Sequence, residues 1–487
     1  MTETLKDKTA KGLFWGGLSN GVQQVLALVF GIILARKLDR GDYGMIAMIA
    51  IFSVIATELQ ASGFKTALLK SKNPQHNDYN SVFWFNVIAG LILYIVLFFS
   101  APFIADFYHK PELVTLCRYV FLGFVFSGWG MAQSAYLTKN LKIKEVAKST
   151  TIATLASCVI GVVMAYCRCS YWSLATQSLT LILFNTLLLW YYSPWRPSMH
   201  IDFGPVKRMF PFSVNIMFSA ILVQVNANMM SILLGRYFTK EETGDYSQAY
   251  KWSSMSMLLL QGMLKQVDVP VLAGLQDERE RQLRVLRKMM RFTAFISFPV
   301  LFGFGLVSHE FIMLTIGEKW EQSSQLLPYL CLSCAFVPLV TLMQDAIVAR
   351  DSSRIYMVNT CLLGLSQLAL LYMLWPYGLR AMVCLFVAVN LLWVPIWFFF
   401  LKRLTGYRWL SFFADIAPFA LSALGVMGLT YVLTCAFENY YLLLSSRILI
   451  AALLYYAVMR MAKVKILDEC QQFLLQKLRR KETHHEL

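Results

Sequence analysis

Two clusters of amides interrupt otherwise apolar sequence. Asn20, Gln23 and Gln24 lie within residues 13–35, and Asn215, Gln224, Asn226 and Asn228 within 210–235. Helical spacings of three and four put Asn20, Gln23 and Gln24 on one face, and Gln224 and Asn228 on another. Amides both donate and accept hydrogen bonds and do not titrate. Their chemistry is therefore recognition rather than acid–base work. Polar groups in lipid are costly, so they are expected to face a protein interior or water. One reading has them line a water-filled cavity and bind a hydroxyl-rich ligand such as a sugar. The alternative is hydrogen bonding between helices of a bundle.

Charged residues within apolar runs add a second kind of chemistry. Lys251 lies about seven residues into the segment 244–266, roughly 10 Å deep at 1.5 Å per residue. Arg118 and Arg447 sit just inside the segments 115–138 and 440–460. Cations along a path would offset the cost of moving phosphates out of a headgroup layer. The alternative is snorkelling to the interface, which is the reading taken for Arg447. The acids Glu58 and Asp345 lie near helix ends, where they can pair with Lys65 and Arg350. The sharper reading makes them carboxylates that couple transport to H+ or Na+. Catalysis finds little support. The six histidines are His76, His109, His200, His309, His484 and His485, scattered apart from the last pair. Cys331-x-x-Cys334 lies in an apolar helix with no second pair, so no metal site and no cofactor is expected.

These residues need long apolar helices to hold them. Of the 487 residues 57% are hydrophobic and only 15% charged, with a mean hydropathy of +0.55. Soluble proteins carry about 25% charged residues. About fourteen segments are long enough to span a bilayer, which takes about 20 residues as helix. They are 13–35, 44–63, 82–104, 115–138, 149–167, 171–192, 210–235, 244–266, 290–315, 325–349, 355–375, 379–401, 411–436 and 440–460. With both termini inside, most of the 44 Lys and Arg fall on the cytoplasmic side. The outer side receives Arg36, Lys37, Arg40, Lys110, Arg168, Arg236, Lys240, Lys319 and Arg380. This is the bias of the positive-inside rule. It accounts for most of the net charge of +16 without nucleic acid.

An internal repeat orders the helices. At an offset of 200, Gln24, Val25, Ile32, Leu34 and Arg36 meet Gln224, Val225, Ile232, Leu234 and Arg236. A three-residue insertion then brings Gly41-Asp42-Tyr43 onto Gly244-Asp245-Tyr246. The expected division is an N-terminal lobe at 1–200, a second lobe at 201–405, a helix pair at 406–460 and a basic tail at 461–487. Residues 267–289 form the longest internal loop, a solvated helical turn. The tail, through Leu467, Phe473, Leu474, Leu475 and Leu478, either lies on the membrane surface or forms a solvated helix. Repeats of this kind in membrane proteins mark transporters with the site between the halves.

The stretch Leu34-Ala35-Arg36-x-Leu38-x-x-x-Asp42-Tyr43-Gly44 resembles the first-loop signature of the polysaccharide transporter family. These are the Wzx-type flippases of the multidrug/oligosaccharidyl-lipid/polysaccharide superfamily. Pro270-Val271-Leu272-x-x-Leu275-Gln276-Asp277, Gly317-Glu318-Lys319-Trp320 and Ala349-Arg350 match further, and together resemble its WzxC-type branch. The resemblance covers roughly residues 8–400. It implies an all-α polytopic membrane protein with two pseudo-symmetric six-helix lobes plus two C-terminal helices. It also implies alternating access that moves an undecaprenyl-diphosphate-linked oligosaccharide across a bacterial inner membrane. The sugar would pass between the lobes while the polyprenyl tail stays in lipid along the last two helices. Expected partners are membrane lipid and a polysaccharide polymerase machinery, with the chain itself a monomer. The alternative is a multidrug or small-molecule exporter of the same fold. A drug site calls for a mid-membrane carboxylate, which the segments lack on this reading.

Overall fold

The structure, a computed structural model, describes residues 5–61, 63–71, 73–273, 278–350, 352–464 and 466–469. Among these residues the chain is helical and contains no strand. It forms two compact units, Met1–Ser247 and Gln248–Leu487. The first holds α1 Leu5–Lys37, α2 Arg40–Ala61, α3 Phe64–Lys70, α4 His76–Tyr108 and α5 Leu113–Phe121. It continues through α6 Gly123–Lys139, α7 Ile143–Tyr166, α8 Trp172–Tyr192, α9 Gly204–Tyr237 and the first turns of α10 Lys240–Ala273. The second holds the rest of α10, then α11 Arg279–Leu306, α12 Ser308–Thr315, α13 Glu321–Cys334 and α14 Val337–Val348. It ends with α15 Ser353–Leu374, α16 Leu379–Thr405, α17 Trp409–Thr434 and α18 Tyr440–Met461.

Twelve stretches among the described residues are long and apolar enough to cross a membrane. They correspond to twelve of the fourteen expected segments. The other two, 210–235 and 244–266, lie in α9 and α10, each 34 residues long. α10 starts with the polar run Lys240-Glu241-Glu242-Thr243-Gly244-Asp245. Three expected segments are interrupted rather than continuous. The fourth divides into α5 and α6, the ninth into α11 and α12, and the tenth into α13 and α14. The expected loop 267–289 is mostly helix, since α10 runs to Ala273 and α11 begins at Arg279. Of the tail, Leu467 packs into the core of the second unit. Phe473, Leu474, Leu475 and Leu478 lie outside the described residues.

The two units carry separate cores. In the first, Met48, Ala101, Tyr108, Leu116 and Phe121 pack together, and a second cluster gathers Phe64, Val82, Ala132 and Trp195. In the second, Phe298, Leu339, Trp397, Phe398, Ala451 and Tyr455 belong to one cluster. The segment between α8 and α9 is strapped along α4. Trp84 Nε1 donates to the Ser198 carbonyl at 2.8 Å and Asn80 Nδ2 to the His200 carbonyl at 2.5 Å. Ser198 N returns a bond to Asn80 Oδ1 at 2.9 Å, and Asn77 Nδ2 reaches Asp202 Oδ2 at 2.8 Å.

The repeat is more regular than the sequence suggests. α1 ends at Lys37 and α2 begins at Arg40, while α9 ends at Tyr237 and α10 begins at Lys240. The offset of 200 therefore continues through the turn, and no insertion separates the copies. Gly44, rather than Gly41, matches Gly244. The turns are also capped alike. Asp42 Oδ2 accepts from Asp39 N at 2.9 Å, and Glu242 Oε2 accepts from Thr239 N at 3.1 Å. Thr239 Oγ1 accepts in return from Glu242 N at 3.2 Å, completing a capping box.

The two hairpins cross at these glycines. A Cβ on Gly44 would lie 1.8 Å from the Lys240 carbonyl oxygen, and one on Gly244 would lie 1.9 Å from that of Arg40. The contact is reciprocal, glycine to carbonyl in both directions. Only glycine tolerates such an approach without moving the backbone. Gly244→Ala is expected to lower the stability of the purified protein by about 1–3 kcal/mol, as overpacking does. Gly425→Ala, on α17 with nothing within 4 Å, is the matched control and should leave the melting temperature unchanged.

Candidate functional site

The polar residues of the first unit gather on α2 and α9. α9 packs against α2, α3 and α4. Gln224 Nε2 donates to Glu58 Oε1 at 3.3 Å, joining α9 to the last turn of α2. Asn228 Nδ2 turns back onto the Gln224 carbonyl at 2.9 Å. Asn226 is half-buried beside them. The side chain of Asn215 lies outside the described residues. Glu58 thus has a neutral amide as its hydrogen-bond donor, whereas Lys65 donates to Ser134 Oγ at 2.9 Å. The expected Glu58–Lys65 pair does not form, because α3 turns Lys65 toward α6.

α1 uses its amides differently. Gln23 Nε2 donates to Ser19 Oγ at 2.9 Å, and Ser19 is hydrogen-bonded to Thr151 Oγ1 at 2.9 Å and to the Ala147 carbonyl at 3.2 Å. Gln23 therefore belongs to the α1–α7 contact. Asn20 is exposed and Gln24 half-buried, on the side of α1 away from that seam.

The three cations separate clearly. Arg118 is half-buried, its Nε donating to the Phe98 carbonyl at 3.4 Å and its guanidinium 4.2 Å from the Phe98 ring. Lys251 is half-buried in the second unit, with Nζ 5.6 Å from the Trp252 ring centre. Arg447 does not snorkel. It is buried against Glu310 at 2.7 Å, with both side chains under a tenth exposed. Its guanidinium also donates to Thr434 Oγ1 at 3.2 Å and to the Leu306 carbonyl at 3.2 Å. A buried acid holds it inside, and α12 supplies that acid because the chain breaks after Leu306. Asp345 is half-buried on α14. Arg350 bonds Gln282 Oε1 at 2.9 Å and the Leu404 carbonyl at 2.7 Å.

Two further acids escaped the sequence reading, Glu310 and Asp415. Both stand inside apolar segments, the same signal that singled out Glu58 and Asp345. Asp415 is 2% exposed and takes Arg287, Arg291 and Tyr407. Asp245 is a third buried acid. It is paired with Arg40 at 3.0 Å beside the glycine crossing.

The architecture agrees with that of known proteins. A family model described as a polysaccharide biosynthesis protein matches residues 33–325, more than half of the chain. The chain belongs to this family. It is 27% identical over 334 residues to the lipopolysaccharide biosynthesis protein WzxC of Escherichia coli, covering 67% of each chain. It is 24% identical to the teichuronic acid biosynthesis protein TuaB of Bacillus subtilis, over 63% of this chain and 64% of that one. It is also 24% identical to the succinoglycan biosynthesis transport protein ExoT of Rhizobium meliloti, over 86% and 83% respectively. The fold resembles that of the lipid II flippase MurJ in an inward closed conformation. The TM-score is 0.73 at 16% identity, over 93% of this chain and 100% of that one. An inward-facing multidrug resistance MATE transporter of the MOP superfamily gives 0.64 at 14% identity, over 79% and 95%. The chain is a multi-pass membrane protein with the fold of these transporters.

The Arg447–Glu310 pair yields a direct test. Removing one partner strands a buried charge, which costs about 3–5 kcal/mol, whereas replacing both with apolar residues is close to neutral. Glu310→Leu alone is expected to lower the melting temperature strongly. Glu310→Leu with Arg447→Leu should recover most of it, and a double variant no better than the single would show the pair to be incidental.

Proposed function

We propose that this protein is a flippase. It moves an undecaprenyl-diphosphate-linked oligosaccharide across the bacterial inner membrane for surface polysaccharide synthesis, by alternating access of its two repeats. The sugar-bearing headgroup passes along the polar residues while the polyprenyl tail stays in the bilayer. The single observation that carries this reading is the polar line Glu58–Gln224–Asn228, placed on the first helix of one repeat and the second helix of the other inside a membrane fold. Membership of the polysaccharide biosynthesis family supports it. So do the relatives named for lipopolysaccharide, teichuronic acid and succinoglycan biosynthesis.

Each group has a role in this scheme. The amides of Asn20, Gln24, Gln224, Asn226 and Asn228 bind sugar hydroxyls. Arg118 and Lys251 offset the diphosphate charge along the route. Glu58, hydrogen-bonded to an amide rather than to a cation, is the better placed of the two coupling candidates for H+ or Na+, with Asp345 the second. The chain performs no covalent chemistry, works as a monomer and hands its cargo to the polymerase machinery. Both termini face the cytoplasm, in keeping with the positive-inside bias.

Lipid analysis of a strain lacking the protein tests the proposal. Accumulation of an undecaprenyl-diphosphate oligosaccharide with loss of a surface polysaccharide is the expected result. Unchanged glycans with new sensitivity to cationic compounds would reassign the fold to drug export. At equal protein level, Arg118→Ala and Lys251→Ala should each reduce surface polysaccharide more than Arg447→Ala. Equal effects from all three would remove the cationic route.

A further inference from the structure

The end of α11 near Arg287 holds more positive charge than the protein uses. Asp415 is the acid there. Its Oδ2 accepts from Arg287 Nε at 2.7 Å and from the Tyr407 hydroxyl at 2.6 Å. Its Oδ1 accepts from Arg291 Nε at 2.5 Å and from Arg287 Nη2 at 3.2 Å. Both carboxylate oxygens are therefore occupied, and two guanidinium groups share one negative charge. The neighbouring Lys288 is matched by Glu469 at 2.6 Å, so it does not alter the balance. Arg291 is bonded to Asp415 through Nε, with its two terminal nitrogens taking no part in that bond. The side chains of Arg287 and Arg291 are 33% and 45% exposed. The cluster is thus a positioned donor fork with a surplus of one positive charge.

An apolar groove begins one helical turn away. Arg291 meets Asp415, and four residues on, Phe295 meets Phe419 with ring centres 6.0 Å apart. Phe295 then lines a cavity of about 540 Å³ together with Pro299, Tyr455, Met459 and Leu467. Tyr455 closes it from α18, donating to the Phe295 carbonyl at 3.0 Å. A surplus cation beside a long apolar groove, in a membrane helix bundle, matches an amphiphile with an anionic head and a hydrocarbon chain.

We propose that Arg291 and Arg287 bind the phosphodiester of an anionic two-chain phospholipid, with one acyl chain in the groove of α11 and α18. Charge decides between lipid classes. A phosphodiester carries one negative charge and balances the surplus. A diphosphate carries at least two, which would leave net negative charge beside the buried Asp415. Guanidinium groups suit the head because their planar donors pair with two phosphate oxygens at once. Only the leaflet rests on the orientation proposed above, which makes it the cytoplasmic one. The site itself does not.

Nanodiscs of equal phosphatidylglycerol and phosphatidylcholine provide the test. The full-length protein is extracted and its retained lipids are counted by native mass spectrometry. The wild type is expected to retain phosphatidylglycerol selectively. Arg291→Gln should reduce that preference about tenfold, the equivalent of one charge-assisted hydrogen bond, while the exposed Arg284→Gln should not. Arg291→Gln keeps Asp415 bonded to Arg287 and Tyr407, so its melting temperature in pure phosphatidylcholine should be unchanged. Should it melt early, Ala452→Trp takes its place, since it fills the groove without touching either arginine. That variant should lose phosphatidylglycerol to the same degree. Equal retention of both lipids by the wild type, or full retention by both variants, would overturn the proposal. Displacement of phosphatidylglycerol by stoichiometric undecaprenyl phosphate would also overturn it, assigning the site to the carrier. Failure here leaves the flippase reading untouched, because that is read from oligosaccharide accumulation in cells.

Discussion

The arrangement depends on two backbones meeting without side chains between them. In a bilayer, lipid chains solvate an apolar helix about as well as another helix does, so close packing has to replace the hydrophobic drive. The Gly44–Gly244 crossing supplies that closeness twice over, each glycine beneath a carbonyl of the other hairpin. The capped turns at Asp39–Asp42 and Thr239–Glu242 hold each helix start in place. Arg40 and Asp245 then bridge the crossing with opposite charges. Further along α9, Gly235 leaves room for Met48 and Tyr108. The position of Gln224 against Glu58 follows from this seam, three turns below.

Among the described residues, three buried acids are held by basic side chains. Asp245, Glu310 and Asp415 each have a basic partner, and each joins elements that would otherwise meet only through apolar contact. Low dielectric makes an unpaired ion very costly, which accounts for the pairing. Glu58 and Asp42 differ, Glu58 taking an amide of Gln224 and Asp42 the Ser170 hydroxyl and the Asp39 backbone amide.

Much of this was legible from the sequence. Apolar length marked fourteen segments, twelve of which match stretches able to cross a membrane among the described residues, and the amides of α9 stood out because lipid tolerates few of them. The repeat was visible too, although its register past the turn was misjudged. Gly-Asp-Tyr at 41–43 and at 244–246 looks like one motif, but helix starts and caps place the copies three residues apart. Identity of short motifs lost to the geometry of the turn. Arg447 was misread because its partner Glu310 lies 137 residues earlier, and helix–helix neighbours cannot be inferred from one helix. Gln23 was misread for the same reason, since nothing in α1 announces Ser19 and Thr151 as one seam.

The strap of residues 193–203 along α4 has a consequence for how such a chain can be divided. Four side chains of α4, Asn77, Asn80, Ser81 and Trp84, grip the backbone or side chains of that strap. The peptide bonds there are therefore only one of two restraints that bring α9 to its starting point. Docking on α4, and not the chain alone, thus sets where α9 starts, so the linker need not have one precise length. Linker length could then drift while the register of α9 against α2 stayed fixed.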